Sequence, residues 1–245
     1  MTTVTHFDRE GDAALCAHVA RIDWMAAATS LDARGYCVLP RLLSPDACDT
    51  AIATWEEPVF RKRIVMAHKG YGAGEYQYFA YPLPPLVTRL RESLYPPLAQ
   101  IANAWWRALG RPEFPATLPE FLALCHAAEQ RRPTPLLLRY AAGDFNCLHQ
   151  DVYGPLMFPL QAAILLSAPG QDFAGGEFVL TEQRPRMQSR VEVVPLARGD
   201  AVIFAVRERP RVGTRGIHRV TMRHGVSPLR SGLRYTLGVI FHDAA

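Results

Sequence analysis

The 245-residue sequence has only five cysteines, Cys16, Cys37, Cys48, Cys125 and Cys147, an odd number with no two in a C-x-x-C pair. That scarcity excludes a disulfide framework and a thiolate zinc site, and the thiols are expected to be reduced and mostly structural. No run approaches the ~20 consecutive apolar residues of a membrane helix. The acidic start, with Asp8, Glu10 and Asp12, has none of the basic-then-apolar order of a signal peptide. The expectation is a cytoplasmic protein without membrane contact. Internal repeats and low-complexity tracts are also absent. Net charge is only +4, with 49% hydrophobic and 20% charged residues, which excludes a disordered chain. The length suits one large domain, or a catalytic core with a helical extension.

What is present changes character near residue 132. Leu15, Val19, Ile22 and Met25 recur at helical steps and predict a helix running to about residue 34, ended by Gly35. Tyr36 to Leu39 predicts a short strand, and Ser44-Pro45-Asp46 opens a helix with a cap, a proline at the first position and an acid in the first turn. Residues 61 to 81 read as a strand pair around a glycine-rich loop, with Gly70, Gly72 and Gly74 a candidate lid. Helices are expected over about 85 to 109 and 118 to 130, the second with a capping box at Thr117 and Glu120. From Pro135 onward short β runs take over, at 136–141, 160–167, 177–181, 191–194, 201–206, 217–222 and 233–241. The organisation expected is α+β: residues 1–132 a mainly helical region with a short strand pair, packed on a jelly-roll core at residues 133–245.

Within that core, His149-Gln150-Asp151 sets an imidazole and a carboxylate two positions apart, on one face of the chain if the segment is extended. The tripeptide alone is weak, since His6-Phe7-Asp8 has the same form outside any β context. A non-haem iron(II) oxygenase needs a second histidine from a later strand, and His218, His224 and His242 are the candidates. Ten residues after His224 comes Arg234 in a β run, with Thr236 on the same face. A guanidinium grips a carboxylate through two parallel hydrogen bonds, and a hydroxyl two residues on adds a third. Arg230 is the alternative, placed by the adjacent Ser231-Gly232 in a turn.

Tyr140, Gly143-Asp144, His149-Gln150-Asp151, Gly175-Gly176-Glu177-Phe178, Gly199-Asp200, His224-Gly225-Val226 and Gly232-Leu233-Arg234, in this order, resemble the landmarks of 2-oxoglutarate/iron(II)-dependent oxygenases. The resemblance spans about residues 135 to 243. Leu148 to Asp151, Phe158 to Gln161, Gly175 to Arg190, Arg223 to Ser227 and Ile240 to Asp243 resemble more closely a bacterial family grouped by name with oxidative repair of alkylated DNA. The resemblance implies a double-stranded β-helix, a dioxygenase using Fe(II), 2-oxoglutarate and O2, and metal ligands His149, Asp151 and His224. It further implies that Arg234, with Thr236, holds the far carboxylate of 2-oxoglutarate. Tyr140 is a candidate contact to the cosubstrate or a core residue.

The primary substrate stays open among alkylated nucleic acid, a prolyl or other protein side chain, and a small molecule, and a catalytically silent jelly-roll binding protein is the reading from another class. Residues 184 to 234 hold twelve arginines against Glu192, Asp200 and Glu208, an excess of nine positive charges. Such a segment favours an anionic partner such as nucleic acid, unless its arginines are paired. Tyr71, Tyr76, Tyr78, Phe79 and Tyr81 either stack on a ligand or pack the sheet.

Overall fold

The structure, a computed structural model, describes residues 9–213 and 216–245, with side chains from residue 13 onward. His6-Phe7-Asp8 and Arg215 lie outside the described residues. The first helical stretch forms two helices, α1 (Arg9–Ala20) and α2 (Trp24–Arg34), rather than one. The break arises because the Asp23 carboxylate accepts the Ala26 amide at 2.9 Å and starts a new helix. Gly35, in a left-handed conformation, closes α2 as expected. There follow β1 (Tyr36–Leu39), α3 (Pro45–Ala53), β2 (Phe60–Val65), β3 (Gly72–Ala73), β4 (Glu75–Phe79), α4 (Pro85–Ala108) and α5 (Leu118–Ala127). The second half carries β5 (Leu136–Ala141), β6 (Phe145–His149), β7 (Leu160–Leu165), β8 (Phe173–Gly175), β9 (Phe178–Gln183), β10 (Arg190–Val194), β11 (Ala201–Ala205), β12 (Glu208–Gly213), β13 (Gly216–Val226) and β14 (Leu229–Val239). The Ser44 cap on α3 and the Thr117/Glu120 capping box on α5 are both formed.

Two antiparallel sheets face each other as a jelly roll. The larger runs β1-β11-β7-β14-β5-β4-β2 with β8 beside β14, and the smaller runs β10-β9-β13-β6-β3 with β12 beside β13. Three strands from before residue 133, β1, β2 and β4, thus extend the larger sheet. The glycines proposed as a lid are tied into this framework, because Gly72 pairs with Asn146 of β6. Arg230 lies within β14 instead of a turn; the chain reverses at Ser227-Pro228, and Ser231 sits at a register shift in the strand.

The centre of the larger sheet is covered on both faces, so β7 and β11 read as continuous buried runs instead of alternating ones. Residues of one parity, Ile164 and Ile203 among them, pack outward against α4, which contributes Leu90, Leu94, Leu98 and Trp105 at helical spacing. Burying each such side chain stabilises the fold by roughly 1.5–3 kcal/mol. Residues of the other parity, including Leu138, Tyr140, Gln161, Ala163, Arg234 and Thr236, face the space between the sheets. The C-terminus is tied to α4 by a buried pair: Arg91 donates to Asp243 at 3.1 Å and to the Phe241 carbonyl at 2.8 Å. Tyr81 donates to the same Asp243 carboxylate at 2.9 Å, which leaves this buried charge well partnered.

Candidate metal centre and cosubstrate pocket

His149 ends β6 and His224 lies on β13, and the two are cross-strand partners. Asp151 follows two residues beyond His149, so one strand end and its neighbour bring three ligand-type side chains together. One donor atom from each lies within 4.8 Å of the others. His149 Nε2 is 3.5 Å from Asp151 Oδ1, and His224 Nε2 is 3.3 Å from Oδ2. The strands approach this closely because residue 225 is glycine; a Cβ there would stand 2.7 Å from the Asn146 carbonyl oxygen. The other histidines are elsewhere. His218 sits opposite Arg211 in the β12–β13 hairpin. His242 is buried beyond β14, accepts the Phe158 amide at 3.3 Å, and is pushed down to about 4 by burial.

The chemistry of this donor set fits a divalent metal. His149 Nδ1 donates to the Cys147 carbonyl at 2.8 Å, because a carbonyl can only accept. In the neutral ring, Nε2 then presents a lone pair toward a carboxylate that also only accepts. Two acceptors converging in a buried site require a cation or a proton between them. Burial pushes the Asp151 carboxyl up, but hydrogen bonds and charge from His149 and His224 outweigh it and hold the carboxyl well below its ordinary range. His149 is pushed up, its burial being outweighed by Asp151, whereas His224 is pushed down by burial and by the neighbouring His149.

Two further side chains hold the carboxylate. Tyr153 donates to Asp151 Oδ1 at 2.7 Å, and Gln161 donates to Oδ2 at 2.8 Å. Sequence reasoning did not single out either one. Gln161 had a signal, a lone amide inside the otherwise apolar run of β7, and Tyr153 shares the two-residue parity of Asp151 with His149. Tyr153→Phe and Gln161→Leu are each expected to weaken metal binding by ~10-fold, in the range for partners that orient metal ligands. A Mn(II) titration checks this, and a wild-type constant in both variants would remove their positioning role.

Across a cavity of about 530 Å³ from these ligands stands Arg234 on β14. Its side chain is 2% exposed and forms no ion pair among the described residues. It donates to Thr236 Oγ1 at 2.6 Å, while its Nε has no partner. Burial pushes the guanidinium down to about 10. The rings of Tyr140 and Phe173 lie 5.7 and 5.9 Å from the guanidinium, and no carboxylate among the described residues pairs with it to offset a burial that costs several kcal/mol. Gly176 keeps a positive φ of 62° where a Cβ would approach Arg234 Cδ to 3.0 Å, leaving space for the side chain. Tyr140, fully buried beside it, accepts from Asn146 at 3.3 Å and keeps its own proton to donate. Arg230 is exposed and lies 3.5 Å from Glu177.

The arginine-rich segment is partly neutralised, by Glu192 and Glu208 within it and by Asp49, Glu177 and Glu182, which lie outside the counted stretch. Glu182 binds Arg184, Arg209 and Arg211, and Arg198 reaches Asp49 of α3. Arg190, Arg219 and Arg230 pair with Glu192, Glu208 and Glu177. Apart from the buried Arg234, this leaves Arg186, Arg207 and Arg223 without an ion pair among the described residues. All five cysteines are free, as expected, and no described helix is long and apolar enough to cross a membrane.

A jelly roll with a His-Asp-His cluster facing a buried arginine defines the class of 2-oxoglutarate/iron(II) oxygenases, oxidoreductases that use Fe(II), 2-oxoglutarate and O2. Residues 74–244 match the family described as an oxygenase catalysing oxidative methylation of damaged DNA, and the chain belongs to that family. Uncharacterised proteins from two strains of Mycobacterium tuberculosis are 51% identical over 195 residues, covering 77% of this chain and 84% of theirs. The fold is also that of a prolyl hydroxylase from Trichoplax adhaerens, solved with a hypoxia inducible factor peptide. The TM-score is 0.59 at 14% identity, over 94% of this chain and 93% of that one.

Proposed function

We propose that the chain couples decarboxylation of 2-oxoglutarate to hydroxylation or oxidative demethylation of a substrate admitted to this cavity. His149, Asp151 and His224 hold the iron, and Arg234 with Thr236 binds the distal carboxylate of the cosubstrate. The observation that carries this reading is the unpaired, buried Arg234 in the same cavity as the ligand cluster. Bound Fe(II) with 2-oxoglutarate and O2 supplies the oxidising power, and the cosubstrate leaves as succinate and carbon dioxide. The chain's own contribution is positional. Tyr153 and Gln161 hold the Asp151 carboxylate, and Tyr140, pushed up by burial and so kept protonated, donates a hydrogen bond beside Arg234. The β14 and β5 side chains exclude water from the cosubstrate end. In this reading residues 133–245 form the catalytic core, strands from before residue 133 extend its sheets and line part of the cavity, and the helices of that part buttress it.

The family description supports damaged nucleic acid as the primary substrate, while the paired arginines favour a peptide or small molecule. Succinate release measured across alkylated oligonucleotides, peptides and free amino acids separates these substrates. No succinate from any of them, together with metal binding indifferent to 2-oxoglutarate, would leave the silent binding protein as the better reading.

Salt dependence provides a second test. A segment with nine free positive charges would give an oligonucleotide affinity falling with a log–log slope near roughly −8, but the carboxylates in contact, Glu182 serving three arginines at once, leave about five and a slope of only about −4 to −5. The shallow slope is the expected result. A slope near the steep value would show that phosphates displace the carboxylates from the paired arginines.

A further inference from the structure

Charge is distributed unequally in the cavity. Among the described residues its lining contains one cation, Arg234, one carboxylate, Asp151, and two histidines, His149 and His224. Under the reading proposed above, 2-oxoglutarate occupies the first and the metal the other three. No charged side chain is then left in the lining for a charged group on the substrate. The remaining wall consists mostly of aliphatic and aromatic residues.

Of the tyrosines, Tyr140 keeps its proton for the cosubstrate end beside Arg234, and Tyr78 and Tyr153 have no free donor. Tyr78 donates to Tyr153 at 3.1 Å, and Tyr153 donates to Asp151 at 2.7 Å, so these hydroxyl protons are spent toward the metal carboxylate. What this wall presents to a ligand is ring surface. At the mouth, Tyr71 is 50% exposed, Leu148 47% and Val152 43%. Large apolar side chains left open beside a cavity mark a surface that a ligand covers. A charged group entering here would lose its hydration without gaining a partner. A cation would gain some attraction from the ring faces, but less than that desolvation costs, and it would share the cavity with Arg234 and the metal.

We propose that the group this cavity admits for oxidation is uncharged and aromatic or apolar, and that charged parts of the substrate stay outside the mouth. This inference rests on the metal and cosubstrate assignment, and the test separates the two. The full chain is loaded with Co(II) and 2-oxoglutarate, and its visible absorption band is followed during titration with three compounds of matched size. These are 4-methoxybenzyl alcohol, 4-methoxybenzoate and 4-methoxybenzylammonium. The alcohol is expected to perturb the band at a concentration at least about tenfold below either ion, as the loss of a compensating charge implies. Either ion matching the alcohol, or none of the three acting while 2-oxoglutarate still shifts the band, overturns the inference and leaves the oxygenase reading standing. A band indifferent to 2-oxoglutarate removes both.

The rim gives an independent arm. Leu148→Ser combined with Val152→Ser, at exposed positions that carry little of the fold, is expected to raise the alcohol's half-saturation roughly tenfold through lost apolar contact. The 2-oxoglutarate constant should stay in place. An unchanged response to the alcohol contradicts the role assigned to the rim.

Discussion

Asp151→Ala is expected to abolish both metal retention and succinate release. The carboxylate is the one anionic donor in the cluster, and it faces His224, whose burial disfavours a charged ring. Its removal leaves two imidazoles, with no charge to offset that of a divalent ion in a buried site. The loss should therefore exceed the ~10–100-fold typical of removing a partner that only orients a ligand. Melting with and without Mn(II) gives a readout apart from activity, because a ligand that binds only the folded state raises Tm. The wild-type protein should show that rise and the variant should not. A metal-free variant melting near the wild type would confirm that the fold survives the loss of the Tyr153 and Gln161 hydrogen bonds. If Asp151→Ala binds Mn(II) with the wild-type constant, the metal lies elsewhere.

Arg234→Met is expected to raise the constant for 2-oxoglutarate by about 2–5 kcal/mol, the cost of removing one partner of a buried charge pair. That is roughly 30-fold to several thousand-fold. Metal binding without the cosubstrate should persist, since Arg234 is not among the three ligands. The ligand-free variant should also melt no lower than the wild type, because an uncompensated buried cation has been replaced by an apolar side chain. Arg234→Lys keeps the charge without the two-pronged donor geometry, and its expected penalty is smaller, about 1–3 kcal/mol. Arg230→Lys serves as the control, since that side chain is exposed beside Glu177. A normal constant for Arg234→Lys with a raised one for Arg230→Lys would reverse the assignment, and normal constants for both would exclude either arginine as the anchor.

Features written in local chemistry were legible before the fold was known. Ser44 with Pro45 at the start of α3, and Thr117 with Glu120 at the start of α5, act on their own helix ends across three residues. The β runs around Leu136, Leu160 and Ala201 were legible as buried strands because both their faces are covered. β6 and β12 were not. Phe145 to His149 is a short strand with mixed exposure, and Glu208 to Gly213 mixes charges with Pro210, which is tolerated because β12 pairs only with β13.

The sequence alone determined the α+β class, the order of the oxygenase landmarks and the residue types available for a metal and an anionic cosubstrate, because each is carried by side chains at short and regular spacing. Only the tertiary structure decided which histidine meets Asp151, since cross-strand register, and the glycine that lets β13 approach β6, set that contact between residues far apart in the chain. It alone showed that Arg234 lacks a carboxylate partner while most of the neighbouring arginines have one. Glu182 of β9 draws in Arg184, just beyond that strand, with Arg209 and Arg211 of β12, and Asp49 reaches Arg198 across 149 residues. Ion pairing depends on distance in space, so a charge count along the chain cannot distinguish a free cation from a neutralised one.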